Sequence, residues 1–142
     1  MQLQPYLFFD GQCEEALNFY KQALGAEVMM LMRFKESPEP LPSGMPAGSE
    51  NKVMHTSFRI GETTLMASDG RCQGQTAFQG FALALAVANE ADVDRYFNAL
   101  ADGGQVQMPL DKTFWSLRFG MVTDRFGLCW MVSVADQKAS RA

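Results

Sequence analysis

Two stretches of this chain echo one another. Phe-Arg-Ile-Gly-Glu-Thr-Thr-Leu-Met-Ala-Ser at 58–68 and Thr-Asp-Arg-Phe-Gly-Leu-Cys-Trp-Met-Val-Ser at 123–133 each set a glycine turn ahead of a short strand. The segments before them repeat as well. In the first half, the apolar run at 3–9 reads as a strand closed by Asp10-Gly11. Cys13, Ala16, Leu17, Tyr20 and Leu24 then recur at helical spacing. Glu14 and Glu15 suit the first turn of that helix and Gly25 its end. Strands are expected at 26–34, 53–60 and 63–68, with the Pro- and Gly-rich segment at 36–51 as an irregular loop with freedom to move.

The second half opens with a strand at 81–88. Asn89 caps a helix bearing Val93, Tyr96, Phe97 and Leu100, which Gly103-Gly104 ends. Strands follow near 105–109, 115–123 and 128–134. The pattern predicts one α+β domain over residues 1–142: a βαβββ module at 1–69, a linker at 70–79, a second module at 80–135 and a polar tail at 136–142. Each half has too few strands to bury both sheet faces alone, so the two are expected to pack together. A ferredoxin-like domain needs only four or five strands, fewer than the eight read here.

Bulk composition narrows the function classes. Hydrophobic residues make up 47% and charged residues 20%, an ordinary globular balance. With 12 Lys and Arg against 16 Asp and Glu and no cationic run, nucleic acid is not an expected partner. No apolar run is long enough to cross a bilayer, so no membrane partner is expected either. Three cysteines, at 13, 72 and 129, form neither a disulfide framework nor a zinc-site spacing. A reducing cytoplasm is the expected setting.

The residues that carry a family resemblance span nearly the whole chain. They are Pro5-Tyr6-Leu7-Phe8-Phe9-Asp10-Gly11, Glu15-Ala16-Leu17-Asn18-Phe19-Tyr20, Val53-Met54-His55 and Leu65-Met66-Ala67-Ser68-Asp69. In the second half they are Lys112-Thr113-Phe114-Trp115 and the run from Asp124-Arg125-Phe126-Gly127 to Leu128-Cys129-Trp130-Met131. In these stretches the chain resembles the vicinal oxygen chelate superfamily of glyoxalase I, extradiol dioxygenases and antibiotic-resistance proteins. It is most similar to the PhnB-like branch, often labelled 3-demethylubiquinone 3-methyltransferase. The resemblance implies a curved mixed sheet of two βαβββ modules around a small-molecule cleft, in a homodimer whose partner chain sometimes completes the site.

Metal-using members of that superfamily take His and Glu ligands from the first and last strand of each half. Carried across, those positions are Gln4 (or Pro5), Met66, Ala82 and Met131. None is an imidazole or a carboxylate, the groups that divalent ions of this kind require. The single histidine cannot make up the difference, so neither a metal nor another cofactor is expected. The methyltransferase label fits no better, because a doubly wound sheet with a Gly-rich first turn is missing.

Candidate chemistry rests on few side chains. His55 shares a strand face with Ser57 and Arg59 and is the one general acid or base near neutrality; a plain hydrogen-bonded histidine is the simpler account. Arg118, on the expected strand with Ser116 and Gly120, could grip a carboxylate or phosphate, or simply face solvent. Tyr6, Phe8, Trp115, Trp130 and Met131 suit an aromatic and thioether wall, or ordinary core. Ala82, Ala84 and Ala86 make one face of their strand shallow, which leaves room for a ligand or for a closely packed element. The expected ligand-binding set is therefore Gln4, Tyr6, Met66, Ala82, Trp115, Arg118 and Met131, with His55 as the catalytic candidate. Three functions remain open: a metal-free binder of a small organic molecule, a metal-dependent lyase, isomerase or dioxygenase-like enzyme of the same superfamily, and a non-catalytic dimeric interaction module.

Overall fold

The computed structural model describes residues 1–135, so the expected tail at 136–142 lies outside the described residues. The chain divides into two compact units, Met1–Thr76 and Ala77–Ala142. In the first, β1 (Tyr6–Phe8), α1 (Cys13–Leu24), β2 (Glu27–Arg33), β3 (Val53–Ile60) and β4 (Thr63–Ser68) build a sheet of order β1-β4-β3-β2. The second contains β5 (Leu83–Val87), α2 (Glu90–Ala101), β6 (Gln105–Asp111), β7 (Phe119–Thr123) and β8 (Cys129–Val134), in the order β5-β8-β7-β6. In each sheet the first and last strands of the unit pair in parallel and the other neighbours are antiparallel. The sequence echo is thus a repeat of hydrogen-bond topology.

Each helix covers one sheet face. The α1 stripe of Cys13, Ala16, Leu17, Tyr20 and Leu24 is buried against Leu7, Phe58, Leu65 and Ala67. The Tyr20 and Phe58 rings stack at 6.4 Å between centroids. Gly25, with φ of 68°, ends α1, and its N–H bonds to the Lys21 carbonyl. In the second unit the Asn89 side chain accepts from Asp92 N at 2.8 Å and caps α2, whose Val93, Phe97 and Leu100 are buried. Phe97 lies so close to Gly120 that a Cβ there would come within 2.7 Å of its ring.

Buried carboxylates tie loops to sheets. Asp69, just past β4, is 1% exposed and accepts from Gly11 N, Cys13 N and Val53 N at 2.9, 2.8 and 2.7 Å. It therefore holds the start of α1 and the start of β3 to the end of β4. Asp124 plays a related part in the β7–β8 turn, accepting from Phe126 N, Leu128 N and the Trp130 indole.

Several strand boundaries move from their expected places. The strand read at 3–9 is only Tyr6–Phe8, and 36–51 ends in a short 3-10 turn, Ser49–Asn51. The strand read at 115–123 begins at Phe119. Upstream of it, hydroxyls compete for the backbone: Thr113 Oγ1 accepts from Ser116 N, and Ser116 Oγ accepts from Arg118 N and donates to its carbonyl. Trp115 to Arg118 are consequently irregular, and the strand face once drawn through Ser116, Arg118 and Gly120 does not exist.

Replacing Asp69 strands three backbone donors in the interior. Asp69→Ala is expected to cost at least about 3 kcal/mol, read as a lower urea midpoint at unchanged slope, with Asp69→Asn recovering only part. A loss of under about 1 kcal/mol would contradict this role.

Candidate functional site

Opposite α1, the first sheet presents an open face. Strand register sets Tyr6, Met66, Ser57 and Met30 abreast across β1, β4, β3 and β2. One step along, His55 pairs with Met32. The Tyr6 hydroxyl reaches across β4 to lie 3.0 Å from His55 Nδ1, and the two rings stack at 5.6 Å and 28°. Phe8 tilts against Tyr6 at 5.1 Å. Tyr6 is 38% exposed and Phe8 57%, so this aromatic and thioether face is open to a ligand. A phenol donating to Nδ1 would place the neutral imidazole's proton on Nε2 and leave that N–H free to meet a ligand oxygen.

In the second unit the corresponding row runs Ala84, Met131, Met121, Met108. Ala84 and Ala86 stand on this open side, because Leu83, Leu85 and Val87 pair with Trp130, Val132 and Val134 on the α2 side. Trp130 is 3% exposed and its indole is spent on Asp124. It is therefore core, on the opposite face from Met131, and does not belong to one wall with it.

The remaining candidates scatter. Gln4 precedes β1 and Ala82 precedes β5. Trp115 is 53% exposed and packs edge-on against Phe114 and Phe119. Arg118 Nε donates to Asp94 Oδ1 on α2, so its charge is paired inside its own unit rather than held ready for a ligand anion. The sequence reading missed Asp94 because nothing in the spacing from 94 to 118 marks a partnership. It missed Met30 and Met108 as face residues because bulges in β2 and β6 set their orientation.

The superfamily's divalent metal does not fit this donor set. Gln4, Met66, Ala82 and Met131 offer amide, thioether and methyl groups, and the register partners of the two methionines, Tyr6 and Ala84, add no imidazole or carboxylate. Among the described residues, no three His, Cys, Asp or Glu side chains come close enough to share an ion. A cavity of about 150 Å³ beside the start of α1 is lined by Glu14, Glu15, Lys52 and Asp69 among others. Its Glu14, Lys52 and Asp69 side chains are already bonded within the protein. Arg33 pairs with Glu14 through both nitrogens and holds that carboxyl below its ordinary pKa, and Lys52 Nζ donates to the Gly11 carbonyl. It is a brace.

A family model described as 3-demethylubiquinone-9 3-methyltransferase matches residues 1–133. The chain belongs to that family. It is the PhnB-like branch of the vicinal oxygen chelate superfamily. Protein YjdN of Escherichia coli is 36% identical over 148 residues, covering 99% of this chain and 100% of YjdN. The crystal structure of PA1353 from Pseudomonas aeruginosa is 44% identical with a TM-score of 0.82, covering 94% of this chain and 97% of that one. A putative 3-demethylubiquinone-9 3-methyltransferase, a PhnB protein from Bacillus cereus, is 26% identical with a TM-score of 0.78 over 95% of this PhnB-like chain and 100% of its own. The two four-stranded sheets are small and mixed, unlike the doubly wound sheet of a typical methyltransferase.

Thiol accessibility separates the three cysteines of the PhnB-like chain. Burial raises the pKa of Cys13, with Asp69 adding to the effect, and burial also raises Cys72 against an opposing hydrogen bond from Ser49. Only Cys129 is partly exposed. In native protein near pH 8, one equivalent of an aromatic disulfide reagent should react promptly, and Cys129→Ala should remove it; prompt reaction of all three would contradict the packing. For the dyad, 15N spectra of neutral His55 should show the Nε2–H tautomer, with Tyr6→Phe moving it toward a mixture. A ring whose spectrum ignores that substitution is not bonded to Tyr6.

Proposed function

We propose that this PhnB-like protein binds a small organic molecule on the open face of its first sheet, without a catalytic divalent metal. Tyr6 and His55 supply the polar contacts, and Met66 and Phe8 the apolar wall. The supporting observation is the Tyr6–His55 hydrogen bond, standing on a half-exposed surface of aromatic and thioether groups. Such a surface suits a planar, largely apolar molecule carrying one hydrogen-bonding oxygen, with methionines adapting to its outline. The same pair favours a second reading, in which His55 moves a proton to or from that oxygen or the carbon beside it. A homodimer in the cytoplasm is part of the proposal, with light scattering as the check on assembly.

1-Naphthol serves as a probe of this chemistry. It should shift the Met66 methyl and His55 ring resonances, and EDTA should leave its binding unchanged. Tyr6→Phe or His55→Ala should each weaken it about tenfold, the value of roughly one hydrogen bond. Unchanged binding in both variants, or a stoichiometric divalent ion in the purified protein on which binding depends, would overturn the reading.

A further inference from the structure

The open face of the second sheet carries a row of sulfur atoms for which neither the core nor the proposed ligand has a use. Met131, Met121 and Met108 sit directly opposite one another on β8, β7 and β6. A bulge makes the row. After the Val106–Val122 pair the register slips, so that Met108 rather than Gln107 stands opposite Met121. Without that slip the alternation of the strand would turn Met108 to the α2 side. The three side chains are not filling a core: Met108 is 44% exposed, and Met121 and Met131 are part-exposed. Cys129, the one cysteine that is not buried, precedes Met131 by two residues and so projects from the same face of β8.

We propose that this face binds a soft monovalent metal ion of the Cu(I) class through the thioethers of Met108, Met121 and Met131, with the Cys129 thiol alongside. Directly opposed side chains on neighbouring strands have Cβ atoms about 5 Å apart, within reach of convergence by three flexible methionines. Thioether and thiolate sulfur select soft ions, and the lack of imidazole and carboxylate at the row's centre disfavours hard divalent ones. The first sheet supplies an internal comparison. Its slip between Val28 and Met30 likewise brings Met30 into the row with Met66, but Ser57 stands between them. That row has two separated thioethers and no thiol, and should not hold the ion. The proposal is independent of the organic ligand on the first sheet.

Ag(I), a redox-stable probe of the same softness, tests it in chloride-free buffer on protein labelled at the methionine methyls. Methyl signals of Met108, Met121 and Met131 should move together and saturate at one equivalent, while those of Met30 and Met66 stay in place. Met121→Leu should lower Ag(I) affinity at least tenfold. Met108→Leu, at a more exposed position, should do the same and guards against a folding defect in the first variant. Signals that shift evenly across all methionines, uptake by Cys129 with no thioether shift, or unchanged affinity in both leucine variants would overturn the proposal.

Discussion

The first unit depends on one carboxylate. Asp69 receives N–H groups from the β1–α1 loop, the first residue of α1 and the first residue of β3, and it sits at the end of β4. Hydrogen bonds to an ionised acceptor in a dry interior are among the stronger ones available to a fold. This cluster settles where α1 starts, and so which of its residues meet the sheet. It also fixes the end of β4 against the start of β3, on the strand that carries His55. Position and chemistry are linked there: the face that carries Tyr6 and His55 is the face that α1, anchored this way, does not cover.

The two units share topology down to the register slip in the second strand, yet their open faces have diverged in chemistry. Where the first sheet carries Tyr6, Met66, Ser57 and Met30, the second has Ala84, Met131, Met121 and Met108. The first retains hydroxyls and places an imidazole next to them. The second has methyls and sulfurs. Backbone hydrogen bonding constrains where a side chain points but not what it is, so a repeated frame tolerates this freedom on any face its own helix leaves open.

Much of the frame was legible in the sequence because it is written in local signals. The α1 stripe, Gly25, Asn89 with Asp92 and the glycine turns act within a few residues, and the eight strands and two helices follow them. Face assignments were legible only where alternation ran unbroken, as along Phe58 to Ile60. Slips at Met29 and Gln107 could not be seen, since a bulge depends on its neighbour strand. Arg118 shows the other limit: apolar alternation suggested a strand, but Thr113 and Ser116 offered the backbone a nearer set of partners, and Asp94 on a helix took the charge.

Strand position alone does not set the chemistry of these sites. The superfamily places its ion ligands on the first and last strands of each half, and those strands do pair side by side here, Tyr6 with Met66 and Ala84 with Met131. Within each sheet the strand pairing is therefore in place at these positions, while imidazole and carboxylate are not. A phenol beside a thioether and a methyl beside a thioether are contacts for carbon, for a hydroxyl or for a soft ion. Desolvating a hard divalent ion onto them would replace strong water oxygens with groups that return little of that energy. In this frame the strand pairing fixes where these side chains stand, and their chemistry decides which partner would gain by leaving water.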